Sequence, residues 1–123
     1  METHTEPKWL AEPEPHNYPA ASSYLSLIYD SVAVARKVEG LQNAEVTSFK
    51  AKDIVRASRL PILGLDNAHV HKNLKKIADQ KPMSPVLLVR SPETGTVIIA
   101  DGYHRVSACW QYNEDTVIPA KIV

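Results

Sequence analysis

The chain has 123 residues, 44% hydrophobic and 23% charged, the proportions of a single domain able to bury one core but not two. Fourteen Lys plus Arg balance fourteen Asp plus Glu, so no bulk charge draws the protein toward nucleic acid or a membrane surface, and any such attraction has to be local. The single cysteine, Cys109, excludes an internal disulfide and a cysteine-ligated zinc site, and a reducing, cytoplasmic setting is expected.

Residues 1–20 hold Pro7, Pro13, Pro15 and Pro19 among Glu2, Glu6, Glu12 and Glu14, which reads as an extended arm and not as a signal peptide. No stretch is long enough to span a bilayer, so a membrane partner is not expected. Trp9 and Tyr18 are costly to leave in water, and the arm is expected to lie across the domain or across a partner subunit in a homo-oligomer. His4 and His16 carry no readable role there. Residues 21–123 are expected to form one domain. Ser22 and Ser23 predict the start of a helix with Leu25, Ile28, Tyr29 and Val32 at helical spacing, and Gly40 sits where it would end.

Residues 45–49 predict a short strand, and 50–65 a short helical turn followed by a loop. Asp66 is placed to cap a helix beginning at Asn67, in which Val70, Leu74, Ile77 and Ala78 share one face. His69, Lys72 and Lys76 fall within about 60° of one another on a second face. Residues 50–81 contain eight basic and three acidic residues, so the neutral total hides a segregated charge pattern. After Pro82 and Pro85, the run 86–89 predicts a buried strand, 91–95 a turn, and 96–100 a returning strand. Asp101-Gly102 breaks that strand, residues 103–112 predict a helix, and 117–123 a final strand. This order predicts a compact α+β domain, a small mixed sheet flanked by helices with an N-terminal arm and an extra helix, and not a repeated parallel βαβ fold.

Chemistry is expected where the strand stops at Gly102 and turns at once into a helix. Helix N-termini present free N–H groups and the positive end of the dipole, and a glycine lets a ligand approach the backbone, which suits a phosphate. Arg105 would add a forked donor, and His104 a second donor or a proton carrier. The same residues also make ordinary turn chemistry, with Asp101 as the helix cap and His104 and Arg105 solvated, and spacing leaves both readings open. His69 and His71 point about 200° apart on a helix, so no shared metal is expected. Tyr103 and Tyr112 are aromatics that could stack a base or fill the core.

Asp101-Gly102-Tyr103-His104-Arg105-Val106-Ser107-Ala108 resembles the Gly-x-His-Arg helix start of the ParB/sulfiredoxin-like superfamily, and residues 118–123 are similar to the strand that follows it there. The resemblance covers residues 45–123. It implies a nucleotide phosphate held by Gly102, His104 and Arg105, with His69, Lys72 and Lys76 on the preceding helix and Arg59 on the loop before it as further ligand-binding residues. Sulfiredoxins place a reactive cysteine where this chain has Tyr103, so sulfinic acid reduction is not expected. No helix-turn-helix segment follows the domain in this sequence, so DNA partition by itself is not expected, and the acidic residues of the free-serine kinase member have no clear counterpart here.

The leading expectation is therefore a protein that binds a nucleotide (ATP, ADP or CTP) or another phosphorylated small molecule. If it is an enzyme, Mg²⁺-assisted phosphoryl transfer or nucleotide hydrolysis fits, with Asp101 and His104 as the catalytic candidates. A noncatalytic module that docks a protein partner or DNA backbone is the alternative, and a ParB-like nuclease a third.

Overall fold

A computed structural model describes residues 6–123 and orders its elements as α1 (Asn17–Leu25), α2 (Ser31–Asn43), β1 (Thr47–Lys50), α3 (Ala51–Ser58), α4 (Ala68–Ala78), β2 (Val86–Ser91), β3 (Thr96–Asp101), α5 (Tyr103–Tyr112) and β4 (Val117–Ile122). The strands lie in the order β1-β4-β2-β3; β2 and β4 are parallel and the other two pairs antiparallel. This is the expected mixed α+β fold. The run Val86-Leu87-Leu88-Val89 is apolar at every position because both faces of its strand are covered. Val86 and Leu88 pack with Ile99, Ile118 and Ala120 against Ile54, Ile77 and Val106 of α3, α4 and α5. Leu87, Val89 and Ala100 pack on the opposite face against Ala21 and Leu25 of α1 and Val34 and Leu41 of α2.

The first helices depart from the expected boundaries. Helical order begins at Asn17, inside the stretch expected to be an arm, because Pro19 falls in the first turn, where its missing N–H has no intrahelical acceptor. Ser22 and Ser23 lie within α1 and cap nothing. Asp30 caps α2, accepting from the Ala33 N–H at 2.9 Å, and the chain reverses at residues 26–30 to lay α2 beside α1. The helical spacing across residues 25–32 therefore spans a break. Leu25 is buried, whereas Ile28 and Val32 stay exposed. Gly40 lies inside α2, not at its end: a Cβ there would sit 3.0 Å from the Val123 Cγ1, so the glycine admits the chain that follows β4. Residues 51–58 form two turns of helix, ended by Arg59 in the left-handed region at φ 58°. Asn67, not Asp66, caps α4, its Oδ1 accepting from the N–H groups of His69 (3.0 Å) and Val70 (3.2 Å).

Glu2 and His4 lie outside the described residues. The described part of the arm, from residue 6 on, docks on its own domain. Met83 donates its N–H to the Lys8 carbonyl (2.8 Å) and accepts from the Leu10 N–H (2.9 Å), while the Glu12 carboxylate reaches Lys121 Nζ at 3.1 Å. Lys121 is only 2% exposed and also donates to the Gln42 carbonyl at 3.1 Å. Burial alone would drive its ammonium toward deprotonation, but Tyr18 and Glu12 together outweigh that and raise its pKa above the usual lysine value. Among the described residues no helix is long and apolar enough to cross a membrane.

Candidate functional site

A polar cleft of about 240 Å³ opens at the C-terminal end of β3, between α4, the start of α5 and the segment leading into α1. Asp101 ends β3, and Gly102 turns the chain into α5 at φ 112°, where no side chain among the described residues caps the helix. The first-turn N–H groups of α5 are thus left without the side-chain partner that Asn67 supplies to α4. Along α5, Tyr103, Ser107 and Gln111 share one face and hold the loop before α4. The Tyr103 hydroxyl donates to the Pro61 carbonyl (2.6 Å), the Leu63 N–H to Ser107 Oγ (3.2 Å), and Gln111 Nε2 to the Leu63 carbonyl (3.2 Å). That loop runs into Asn67, so α5 sets the position of α4 and of His69.

Asp101 does not cap α5, as turn chemistry would have it. Its carboxylate accepts instead from Arg105 Nη2 at 2.7 Å, one helical turn on. Arg105 Nη1 donates to the backbone carbonyls of Ser84 and Pro85, and the side chain is 13% exposed. Arg105 is therefore a strut between α5, β3 and the start of β2, and not the freely solvated first-turn residue of the turn reading. Burial pushes the Asp101 carboxyl above the usual aspartate range, and Arg105, pulling the other way, does not fully offset it.

His104 and His69 meet across the cleft with ring centroids 4.7 Å apart and planes tilted by 45°. Burial first, then the neighbouring His69 and Arg105, lower the His104 pKa below its ordinary 6.5, against an opposing pull from Asp101. The unfolded chain then binds more protons than the folded one in the interval just below pH 6.5, so stability falls as the pH drops through it. His104→Gln should flatten this dependence. Melting temperatures of both proteins at a series of pH values below neutrality check it, and parallel curves would contradict the assignment.

Of the residues expected from sequence, Asp101, Gly102, His104, Arg105, His69 and Lys76 line this one cleft. Lys72 is exposed on α4 and Arg59 is exposed at the end of α3, and neither lines it. Glu14, His16, Asn17, Asn73, Met83 and Ser84 complete the wall. Most of these were beyond sequence reasoning because they arrive from a distant segment: Ser84 Oγ accepts from the Glu14 N–H (3.0 Å) and donates to Asn17 Oδ1 (3.0 Å), which fastens the entry to α1 against the start of β2. Asn73 had a local signal, lying four residues after His69 on α4.

Three imidazoles from three separate segments, His16, His69 and His104, thus line the cleft together with Lys76 and the carboxylates of Asp101 and Glu14. Among the described residues no three His, Cys, Asp or Glu side chains are grouped so as to hold a metal ion. The Asp101 carboxylate is already paired to Arg105, so the residues present do not fit a protein-held Mg²⁺. Cys109 is buried in α5 and its thiol is pushed up to about 12, which excludes it as a nucleophile near neutral pH. Comparisons with protein-family models, with curated proteins and with solved structures find no match to this chain.

Proposed function

We propose that the cleft binds the phosphate of a nucleotide or another small phosphorylated molecule. The observation that carries the reading is the uncapped start of α5 opening beside His104, His69 and Lys76. Free N–H groups at a helix N-terminus favour an anion, and imidazoles and an ammonium at the same wall supply charge-assisted donors. The likeness of residues 101–108 to the ParB/sulfiredoxin-like helix start points the same way. Arg105 acts in this reading as a positioning residue that holds Asp101 and Ser84, while His69, His104 and Lys76 contact the ligand. If turnover follows binding, phosphoryl transfer is the class, with positioning and charge neutralisation supplying most of the effect.

Melting of the wild type with inorganic phosphate, ATP, ADP, CTP and GTP, with and without Mg²⁺, tests this. A ligand present at about a hundred times its dissociation constant adds roughly 2.7 kcal/mol to folding, which a melt resolves. The expected result is stabilisation by at least one of these, weakened about tenfold or more in affinity by Lys76→Met, the scale of one charged hydrogen bond. No stabilisation of the folded protein by any of them would overturn the reading. A noncatalytic interaction module is the second reading, favoured by Tyr24, Leu27, Ile28 and Val32 standing exposed around the turn between α1 and α2.

A further inference from the structure

We propose a second ligand site, for a free amino acid with an apolar side chain, in the cavity between α3 and the sheet at the end of β2 remote from the cleft. It is independent of the phosphate reading. On β2 side chains alternate between faces, so Val86 and Leu88 point to the layer of α3, α4 and α5, and the next residue on that face is Arg90. A charge therefore stands where the inward pattern calls for an apolar group. Arg90 lies opposite Val97 of β3, and Leu88 lies beside Ile122 of β4. These residues, with Phe49 before α3 and Ile54 and Ala57 within it, enclose a cavity of about 230 Å³ whose walls are mainly apolar.

Asp53, in the first turn of α3, lines the same cavity. Among the described residues neither the Arg90 guanidinium nor the Asp53 carboxylate forms a hydrogen bond or ion pair, with each other or with a third group. Lys52, next to Asp53, is engaged elsewhere, 2.7 Å from the Asp115 carboxylate. Two uncommitted charges of opposite sign thus flank one apolar chamber. A plain anion would meet the Asp53 carboxylate and a plain cation the Arg90 guanidinium. A zwitterion with an apolar body matches both: its carboxylate on the planar fork of Arg90, its ammonium on Asp53, and its side chain among Phe49, Ile54 and Leu88. The chamber is smaller than the roughly 300–1,000 Å³ of drug-sized sites, which fits a molecule of amino-acid size.

The test is thermal melting and calorimetric titration of the whole chain with L-leucine and L-phenylalanine, beside 4-methylpentanoate, 3-methylbutylamine and glycine. Leucine has all three features, and each of these last three lacks one. We expect leucine or phenylalanine at several times its dissociation constant to raise the melting temperature by about 3 °C. Removal of either charge from the ligand, or Arg90→Gln or Asp53→Asn in the protein, should weaken binding about tenfold or more. Both residues are exposed at the rim, so these variants keep the fold, and their unaltered melting without ligand checks this. Failure of both amino acids to bind the folded protein, binding that survives both substitutions, or equal binding of 4-methylpentanoate and leucine would each overturn the proposal.

Discussion

Gly102→Ala is expected to lower the melting temperature by about 10 °C and to weaken folding by about 3 kcal/mol. Two independent costs meet at this position. The backbone stands at φ 112°, outside the regions open to L side chains, which costs about 1–2 kcal/mol. An alanine Cβ would also lie 2.5 Å from Val86 Cγ1 and 2.8 Å from Val86 Cβ, well inside contact distance. Val86 cannot yield, because it is fully buried and its strand is hydrogen-bonded to β4 on one side and β3 on the other. Overpacking of this kind adds about 1–3 kcal/mol. For a chain of this size each kcal/mol moves the midpoint by roughly 3–4 °C. Equilibrium urea unfolding read by circular dichroism checks the value, and a loss under about 1 kcal/mol would show that the turn relaxes more easily than its geometry implies. The glycine is required by the fold itself, so its replacement cannot report on ligand binding.

The second large effect belongs to Arg105→Ala, with an expected loss of about 2–4 kcal/mol of stability. The substitution removes the partner of Asp101 and the donor to the Ser84 and Pro85 carbonyls in one step, and breaking an enclosed ion pair leaves a charge uncompensated. The loss should depend on pH in a defined sense. Asp101 already has a folded pKa above its ordinary 3.8, so its contribution to stability diminishes as pH rises through the interval between the two values. Without Arg105 the folded value climbs further and the interval widens upward. The variant should therefore sit closest to wild type in mild acid and furthest from it near neutrality. A second change, Asp101→Asn in the Arg105→Ala background, should recover part of the stability at neutral pH. Urea unfolding at about pH 4 and pH 7 distinguishes this from a purely steric loss, which would be equal at both.

Where local chemistry decides the structure, the sequence was readable. The helix over Tyr103–Tyr112, the hairpin of β2 and β3, and the mixed character of the sheet follow from Asp101-Gly102, from the Pro and Gly of residues 92–95, and from the apolar run that begins at Val86. Boundaries failed where two residues of one chemical type compete or where contact across the fold overrides a local rule. Asp66 and Asn67 are both capping residues, and only the three-dimensional path of the loop selects Asn67. Gly40 has the form of a helix stop, yet its reason is the approach of Val123. The cleft divides in the same way. His104 and Arg105 are adjacent in sequence and could be placed together, but Arg105 turns its donors to Ser84 and Asp101, which spacing does not encode. His16 and Glu14 come from an arm with no periodicity to read, and they enter the wall only because Met83 and Ser84 pair with that arm.

The place of β4 between β1 and β2 has a consequence for how the molecule assembles. The β2–β3 hairpin closes over a short turn and can form early, whereas β1, among the described residues, pairs with β4 alone. Until residues 117–122 are present the sheet exists as a hairpin and a lone strand, and the Glu12 contact with Lys121 has no anchor. The decisive pairings join segments far apart along the chain, which makes loop closure the slow event in folding. During synthesis α1 and α2 can cover their apolar faces on the β2–β3 hairpin, whereas α3 lacks Ile118 and Ala120 until the last strand arrives. The exposure to misassociation is then set by the time needed to translate residues 51–117, and not by any weakness of the finished core.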